Sequence, residues 1–308
     1  MANKRLIQGK FELMQLFVDD LTVIDFSYLC PIRGIVGESW IVDVLLDGSL
    51  NEMSMVLDFA VVKKQIKAII DEAVDHKLLL PILSKSVTLK ESSHQVNHQT
   101  IDFFSEVASY HLQSPACAFA SVETEAITIE AVTQHLTDVI LEQLPENVKG
   151  LTLTLRAENI PGDFYHYTHG LKLHDGNCQR IAHGHRSKIQ IFVDGKKDRT
   201  LEHEWCQRWE DIYIASEADR VPREEIQLSD HIDEYLKPDH QFFAYWAPQG
   251  RFDIAVSSKI LDVVDCDSTV ELLADFILRQ LVATHPELEN RLKVIAYEGV
   301  AKGAIVNG

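Results

Sequence analysis

The sequence predicts an α+β protein built from two tandem copies of one strand-and-helix unit. Three observations lead there. GESWIVDVLLDG, at residues 37–48, returns as GHRSKIQIFVDG at residues 184–195, an offset of 147. Each has a glycine, a strand-like apolar run and then Asp-Gly. Thr128-Ile-Glu130 and Thr269-Val-Glu271 open a later helix in each copy at an offset of 141. An alternating strand then ends near a glutamate: LTLTLRAE at Glu158 and LKVIAYEG with Glu298. A unit of this length present twice is a duplicated domain rather than a solenoid. At 308 residues and 46% hydrophobic content, the chain can bury two ordinary cores.

The element order in each copy is strand, strand, helix, helix, strand, with a short final strand. Val62, Ile66, Ile69, Ile70 and Ala73 give the first helix a one-sided apolar stripe, the pattern of core packing. Ser268 with Glu271 makes a capping box at the start of a late helix. Between its helices each copy inserts a strand-like excursion, around residues 100–121 and 241–256, and Pro248-Gln-Gly250 predicts that the second is a hairpin. The turn-forming Asn159-Ile-Pro161-Gly162 sets the boundary, giving copies at 1–160 and 161–308.

A net charge of −18 and a pI near 5.1 argue against a nucleic-acid or anionic-membrane surface, which needs clustered Lys and Arg. Lys172, Arg180, Arg186 and Lys188 form one local basic cluster, either a solvated strand edge or a seat for a small anion. No apolar run is long enough to span a bilayer, and the first residues lack a secretory pattern. Five scattered cysteines make no disulfide framework. A soluble cytoplasmic protein with a small-molecule ligand is the expectation.

Residues 165–185, YHYTHGLKLHDGNCQRIAHGH, hold five of the fourteen histidines and one cysteine. On a strand His183 and His185 leave the same face, and His169 can return on a neighbouring strand. Three neutral imidazoles without a fourth protein ligand describe a catalytic zinc with an open position. Cys178, with no second cysteine nearby, has the character of a reacting thiol. The offset of 147 maps His183 and His185 onto Val36 and Glu38, so the first copy lacks such a site.

His169, Cys178 and the His183-Gly184-His185 run resemble the 6-pyruvoyltetrahydropterin synthase and 6-carboxytetrahydropterin synthase family. So do Asp58-Phe59, Asp75-His76, Thr269-Val-Glu271 and Glu298, in that order. The resemblance covers nearly the whole chain and implies two tandem tunnelling-fold domains, each an antiparallel four-stranded sheet with two helices on one face. It implies zinc on His169, His183 and His185, Cys178 as base, Asp75 and His76 as a proton relay, and a homo-oligomer. Glu298, Thr269 and Glu271 fall at pterin-binding positions. Gly299 stands where relatives commonly carry threonine. In that family the Asp-His pair reaches the site from a neighbouring subunit. Here Asp75-His76 survives in the copy without zinc ligands, while the later Asp230-His231 and Asp239-His240 follow an apparent insertion.

The reaction implied acts on 7,8-dihydroneopterin triphosphate with loss of triphosphate. The carboxy branch, which serves 7-deazapurine nucleoside (queuosine) synthesis in bacteria, is favoured on family frequency alone. Rival readings are a tandem GTP cyclohydrolase, a nitrile reductase of the 7-deazaguanine route, which needs no zinc, and a pterin-binding regulator without turnover.

Overall fold

The computed structural model describes residues 14–48, 59–144, 148–173 and 180–308. Its first half runs β1 (Met14–Cys30), β2 (Gly34–Gly48), α1 (Phe59–Ala73), β3 (Leu78–Pro81), β4 (Val87–Glu91), β5 (His98–Phe104), β6 (Ser109–Pro115), β7 (Phe119–Val122), α2 (Ile129–Leu141) and β8 (Val148–Ala157). The second half runs β9 (Tyr165–Leu171), β10 (Arg180–Ser187), β11 (Ile189–Val193), β12 (Lys196–Lys197), α3 (Arg199–Arg208), β13 (Ile212–Ser216), α4 (Ile232–Tyr235), β14 (His240–Ala247), β15 (Gly250–Ser257), β16 (Leu261–Val264), α5 (Val270–Thr284), β17 (Leu292–Tyr297) and β18 (Gly303–Asn307). The two halves thus repeat one order of elements around two long helices each.

The sheets are mixed rather than antiparallel. In the first half the order is β7-β3-β1-β2-β8; β1 and β2 form an antiparallel hairpin, whereas β3 runs parallel to β1 and β7 parallel to β3. The second half repeats this with β16-β13-β9-β10, again with parallel β13 and β16, and adds a separate antiparallel sheet in the order β12-β11-β17-β18. The cause is the connection after the hairpin: a helix carries the chain over the sheet, and the next strand enters beside β1 or β9 in the same direction. Periodicity identifies strands but is silent on their direction.

The apolar stripe of α1 packs where its spacing places it: Val62, Ile66, Ile69 and Ile70 join Phe26, Trp40, Leu136 and Leu155 in one core. A second core gathers Trp205, Trp209, Phe276 and Ile277 beneath α3 and α5. A third is shared, with Leu29, Ile35 and Tyr110 of the first half against Ile181, Tyr213 and Phe243 of the second. The excursions join as well. The hairpin β14–β15 forms on its turn, and β15 pairs with β6, making one sheet in the order β14-β15-β6-β5-β4 from both halves.

The hairpins meet about a pseudo-twofold axis. Ser27 pairs with Gly37 in β1–β2, and Thr168 pairs with Gly184 in β9–β10, at equivalent positions. Across the axis the Ser27 and Thr168 hydroxyls lie 2.8 Å apart, and an added Cβ on Gly184 would collide with the Gly37 backbone. Glycine is therefore required on both sides for the backbones to approach this closely. That approach sets one half's hairpin against the other's and builds the site between them.

Candidate metal and proton-relay site

β9 and β10 place His183 directly opposite His169, with His185 two residues further along the same face. All three imidazoles are buried, at 0–2% exposure, and one nitrogen from each lies within 4.8 Å of the others. Ser268 fixes the tautomer of His169. Its hydroxyl donates its one proton to the Gly170 carbonyl and so accepts from His169 Nδ1 at 2.9 Å. His169 Nε2 is left as a buried lone pair with no hydrogen-bond partner, and neither ring nitrogen of His183 or His185 has a hydrogen-bond partner. Burial, reinforced by the neighbouring imidazoles, pushes His169 and His183 well below the ordinary imidazole value, so both are neutral near pH 7. Neutral, converging and otherwise unpartnered imidazoles fit a cation.

The first half supplies what lies over this cluster. His76 follows α1 in a left-handed conformation, φ 57°, and its N–H donates to the Asp25 carbonyl at 2.7 Å. Its ring stacks on His183 with centroids 4.5 Å apart. Asp75 holds His76 Nδ1 at 2.6 Å and also accepts the Asp25 N–H at 2.8 Å. Both contributions come from one chain. His231 is exposed beside Glu234, and His240 bonds Ser109 and Lys237 in the shared sheet; neither is placed like His76.

Glu298 stands at the turn before β18, with Oε1 3.7 Å from His185 Nε2 and Oε2 3.7 Å from Lys302 Nζ. Thr269 caps α5 without a side-chain cap bond, and Glu271 is exposed in the first turn. The predicted capping box does not form, because the Ser268 hydroxyl is engaged by His169 and Gly170. Cys178, His174 and Asp58 lie outside the described residues; Phe59 opens α1. The other cysteines, Cys30, Cys117, Cys206 and Cys266, are free thiols.

The basic cluster dissolves on folding. Lys172 pairs with Asp219 and Lys188 with Glu158, Arg186 lies over the Phe164 ring and donates to the Glu158 carbonyl, and Arg180 is buried. In so acidic a chain, nearby carboxylates and a carbonyl claim Lys172, Lys188 and Arg186.

Sequence reasoning missed Asp25, Ser39 and Lys302. Asp25 is 2% exposed; it accepts from Ser39 Oγ and lies 3.2 Å from His185 Nδ1 and 3.0 Å from Lys302 Nζ. Burial alone would raise its carboxyl, but His185, Lys302 and Ser39 hold it well below the usual range. The offset of 141 pairs Asp25 with His166, and that was the available signal.

The pseudo-equivalent location holds different chemistry. Glu38 replaces His185, and His166 Nδ1 bonds the Gly37 carbonyl at 2.7 Å while standing 3.9 Å from Glu38. Asp211, left-handed like His76, is clamped by both arms of Arg33. Burial raises Glu38 to about 7 and lowers His166 to about 4. Among the described residues, only His169, His183 and His185 form a metal-competent trio.

No helix among the described residues is long and apolar enough to cross a membrane. No curated protein matches the chain. Among solved structures, a catalytic-residue mutant of Plasmodium vivax 6-pyruvoyltetrahydropterin synthase aligns at 16% identity, covering 47% of this chain and 91% of that one, with a TM-score of 0.39. Plasmodium falciparum 6-pyruvoyl tetrahydropterin synthase aligns at 14% identity, covering 47% and 98%, with a TM-score of 0.36. Residues 32–159, which include Asp75 and His76, match the model of the 6-pyruvoyl tetrahydropterin synthase family, and the chain carries a domain of that family.

Proposed function

We propose that the chain is a zinc-dependent pterin synthase acting on 7,8-dihydroneopterin triphosphate, with the 6-carboxytetrahydropterin synthase reaction as its product branch. The observation that supports it most is the stacking of His76, from the half matched by the family model, on the buried imidazole trio of the other half. His169, His183 and His185 hold the metal in this proposal. Bound zinc supplies Lewis acidity to the substrate's two side-chain hydroxyls, lowering their pKa and polarising the adjacent carbon–hydrogen bonds.

The protein groups then divide the work. Cys178, as thiolate, takes a carbon-bound proton. Asp75 orients His76 and stabilises the ring when it gains a proton, so the pair passes protons along the substrate side chain. Glu298 accepts the pterin ring N–H and amino group, fixing the reacting carbons, while Thr269 and Glu271 border the substrate at the start of α5. A cytoplasmic homo-oligomer completes the proposal.

The test is to load the chain with Zn²⁺, add 7,8-dihydroneopterin triphosphate and analyse the products by mass spectrometry. Triphosphate, acetaldehyde and 6-carboxytetrahydropterin are expected. The pyruvoyl product would move the chain to the other branch. Formate released from GTP would replace the proposal with a cyclohydrolase, and tight pterin binding without turnover would replace it with a regulator.

A further inference from the structure

Asp25 belongs to the half without metal ligands, yet its carboxylate is buried against one of them. Oδ1 lies 3.2 Å from His185 Nδ1, across the junction between the halves. Three groups fix that carboxylate: the Ser39 hydroxyl, Lys302 Nζ at 3.0 Å, and the space left by Gly299. Gly299 is left-handed at φ 68°, and a Cβ there would collide with Asp25 Oδ1 and lie 2.7 Å from Ser39 Oγ. A larger residue at 299 would therefore displace either the turn or the carboxylate. The Asp25 backbone meanwhile bonds both relay residues, giving its N–H to Asp75 and its carbonyl to His76.

A carboxylate on one nitrogen of an imidazole fixes the tautomer and ring direction and raises the basicity of the other nitrogen. His185 Nδ1 faces the Asp25 carboxylate at 3.2 Å without an aligned hydrogen bond, and with the proton on that nitrogen Nε2 is a lone pair, the state that cation binding needs. At the pseudo-equivalent location the same two chemistries recur exchanged, with the imidazole His166 in the place of Asp25 and the carboxylate Glu38 in the place of His185. There no imidazole trio accompanies them.

We infer that Asp25 is a positioning residue that ties metal affinity in one half to the relay of the other by orienting His185. The inference rests on the metal reading proposed above. It gives the metal-free half a role distinct from its relay: the trio binds a cation tightly only while the first half is docked on it.

The test is a competition titration of the full apo chain with Zn²⁺ against a chromophoric chelator, with the apo melting temperature recorded alongside. Asp25→Ala should weaken Zn²⁺ binding by about 10- to 100-fold, the usual effect of removing such a partner. Asp25→Asn, which keeps an acceptor without the charge, should lose less. Ser39→Ala, which removes the hydroxyl that holds the carboxylate and, with it, the acceptor of the Arg186 N–H at 3.3 Å, should weaken binding in the same direction and serves if Asp25→Ala does not fold. Wild-type Zn²⁺ affinity in a folded Asp25→Ala, or in Ser39→Ala where the former does not fold, would overturn the inference. A wild-type chain that binds no Zn²⁺ would instead overturn the metal reading itself.

Discussion

The imidazole of His76 stacks on that of His183, with ring centroids 4.5 Å apart and planes 28° from parallel. These residues come from different copies of the duplicated unit, so the candidate site is a junction between halves that each hold part of it.

Metal stoichiometry follows from the lost symmetry. We expect about one zinc per chain, because the equivalent location presents Tyr28, Val36 and Glu38 instead of three imidazoles. Elemental analysis after dialysis checks it. His183→Ala and His185→Ala should each strip the metal while circular dichroism stays near that of the parent, since the cores lie elsewhere. Two tightly held zinc ions, or metal retained when both histidines are removed, would contradict the assignment.

The docking itself is open to test at Gly184, whose added Cβ would meet the Gly37 backbone, Ser27 and the Tyr167 carbonyl. Most of these atoms are backbone and cannot step aside. Gly184→Ala should cost about 1–3 kcal/mol in chemical denaturation, and zinc binding should weaken with it. Unchanged stability would mean that the hairpins do not approach this closely.

Glu38 predicts a pH dependence. Burial raises its carboxyl from 4.5 to about 7, against the lowering effects of the Ser39 N–H, Arg186 and Arg33. The folded state therefore binds this proton more tightly than the unfolded state, and the associated stability is present at low pH and lost as pH rises through about 7. Glu38→Gln keeps the neutral form and the acceptor for Ser39. It should be more stable than wild type by up to roughly 3 kcal/mol at pH 8, and by under about 1 kcal/mol at pH 5. Thermal melts that keep the same difference at both pH values would refute it.

Cys178→Ala should bind zinc and pterin as the parent does and lose turnover, because the proton acceptor goes while the ligands stay. Single-turnover assays with 7,8-dihydroneopterin triphosphate decide this. Near-normal turnover would assign the base to another residue.

Much of this was legible in the sequence, for physical reasons that also mark where legibility ended. His183 and His185 are two apart on a strand, so period-two alternation alone sends them to one face. The stripe of α1 and the hairpin at Pro248-Gln-Gly250 are local patterns, and they folded locally. Strand direction depends on how a helix crosses the sheet, and the parallel entry of β3 and β13 leaves no mark on alternation. Ser268 was misread because a serine before a helix serves equally as cap or as partner to a distant imidazole. The contact between Asp25 and Lys302 forms only across the junction, and the repeat offset that marks Asp25 says nothing of Lys302. The ion pairs of the basic cluster escaped for the same reason, since Asp219 and Glu158 come from elsewhere in the chain.

The most direct test of a site shared between copies is His76→Ala, assayed for turnover and zinc content on the same preparation. Removing a positioned acid–base group typically lowers the rate by about two to four powers of ten. We predict a loss of that size in kcat with zinc content unchanged, because His76 contacts the trio from the other half without belonging to it. A His76→Ala chain with wild-type turnover would contradict the shared site and return the relay to His231 or His240.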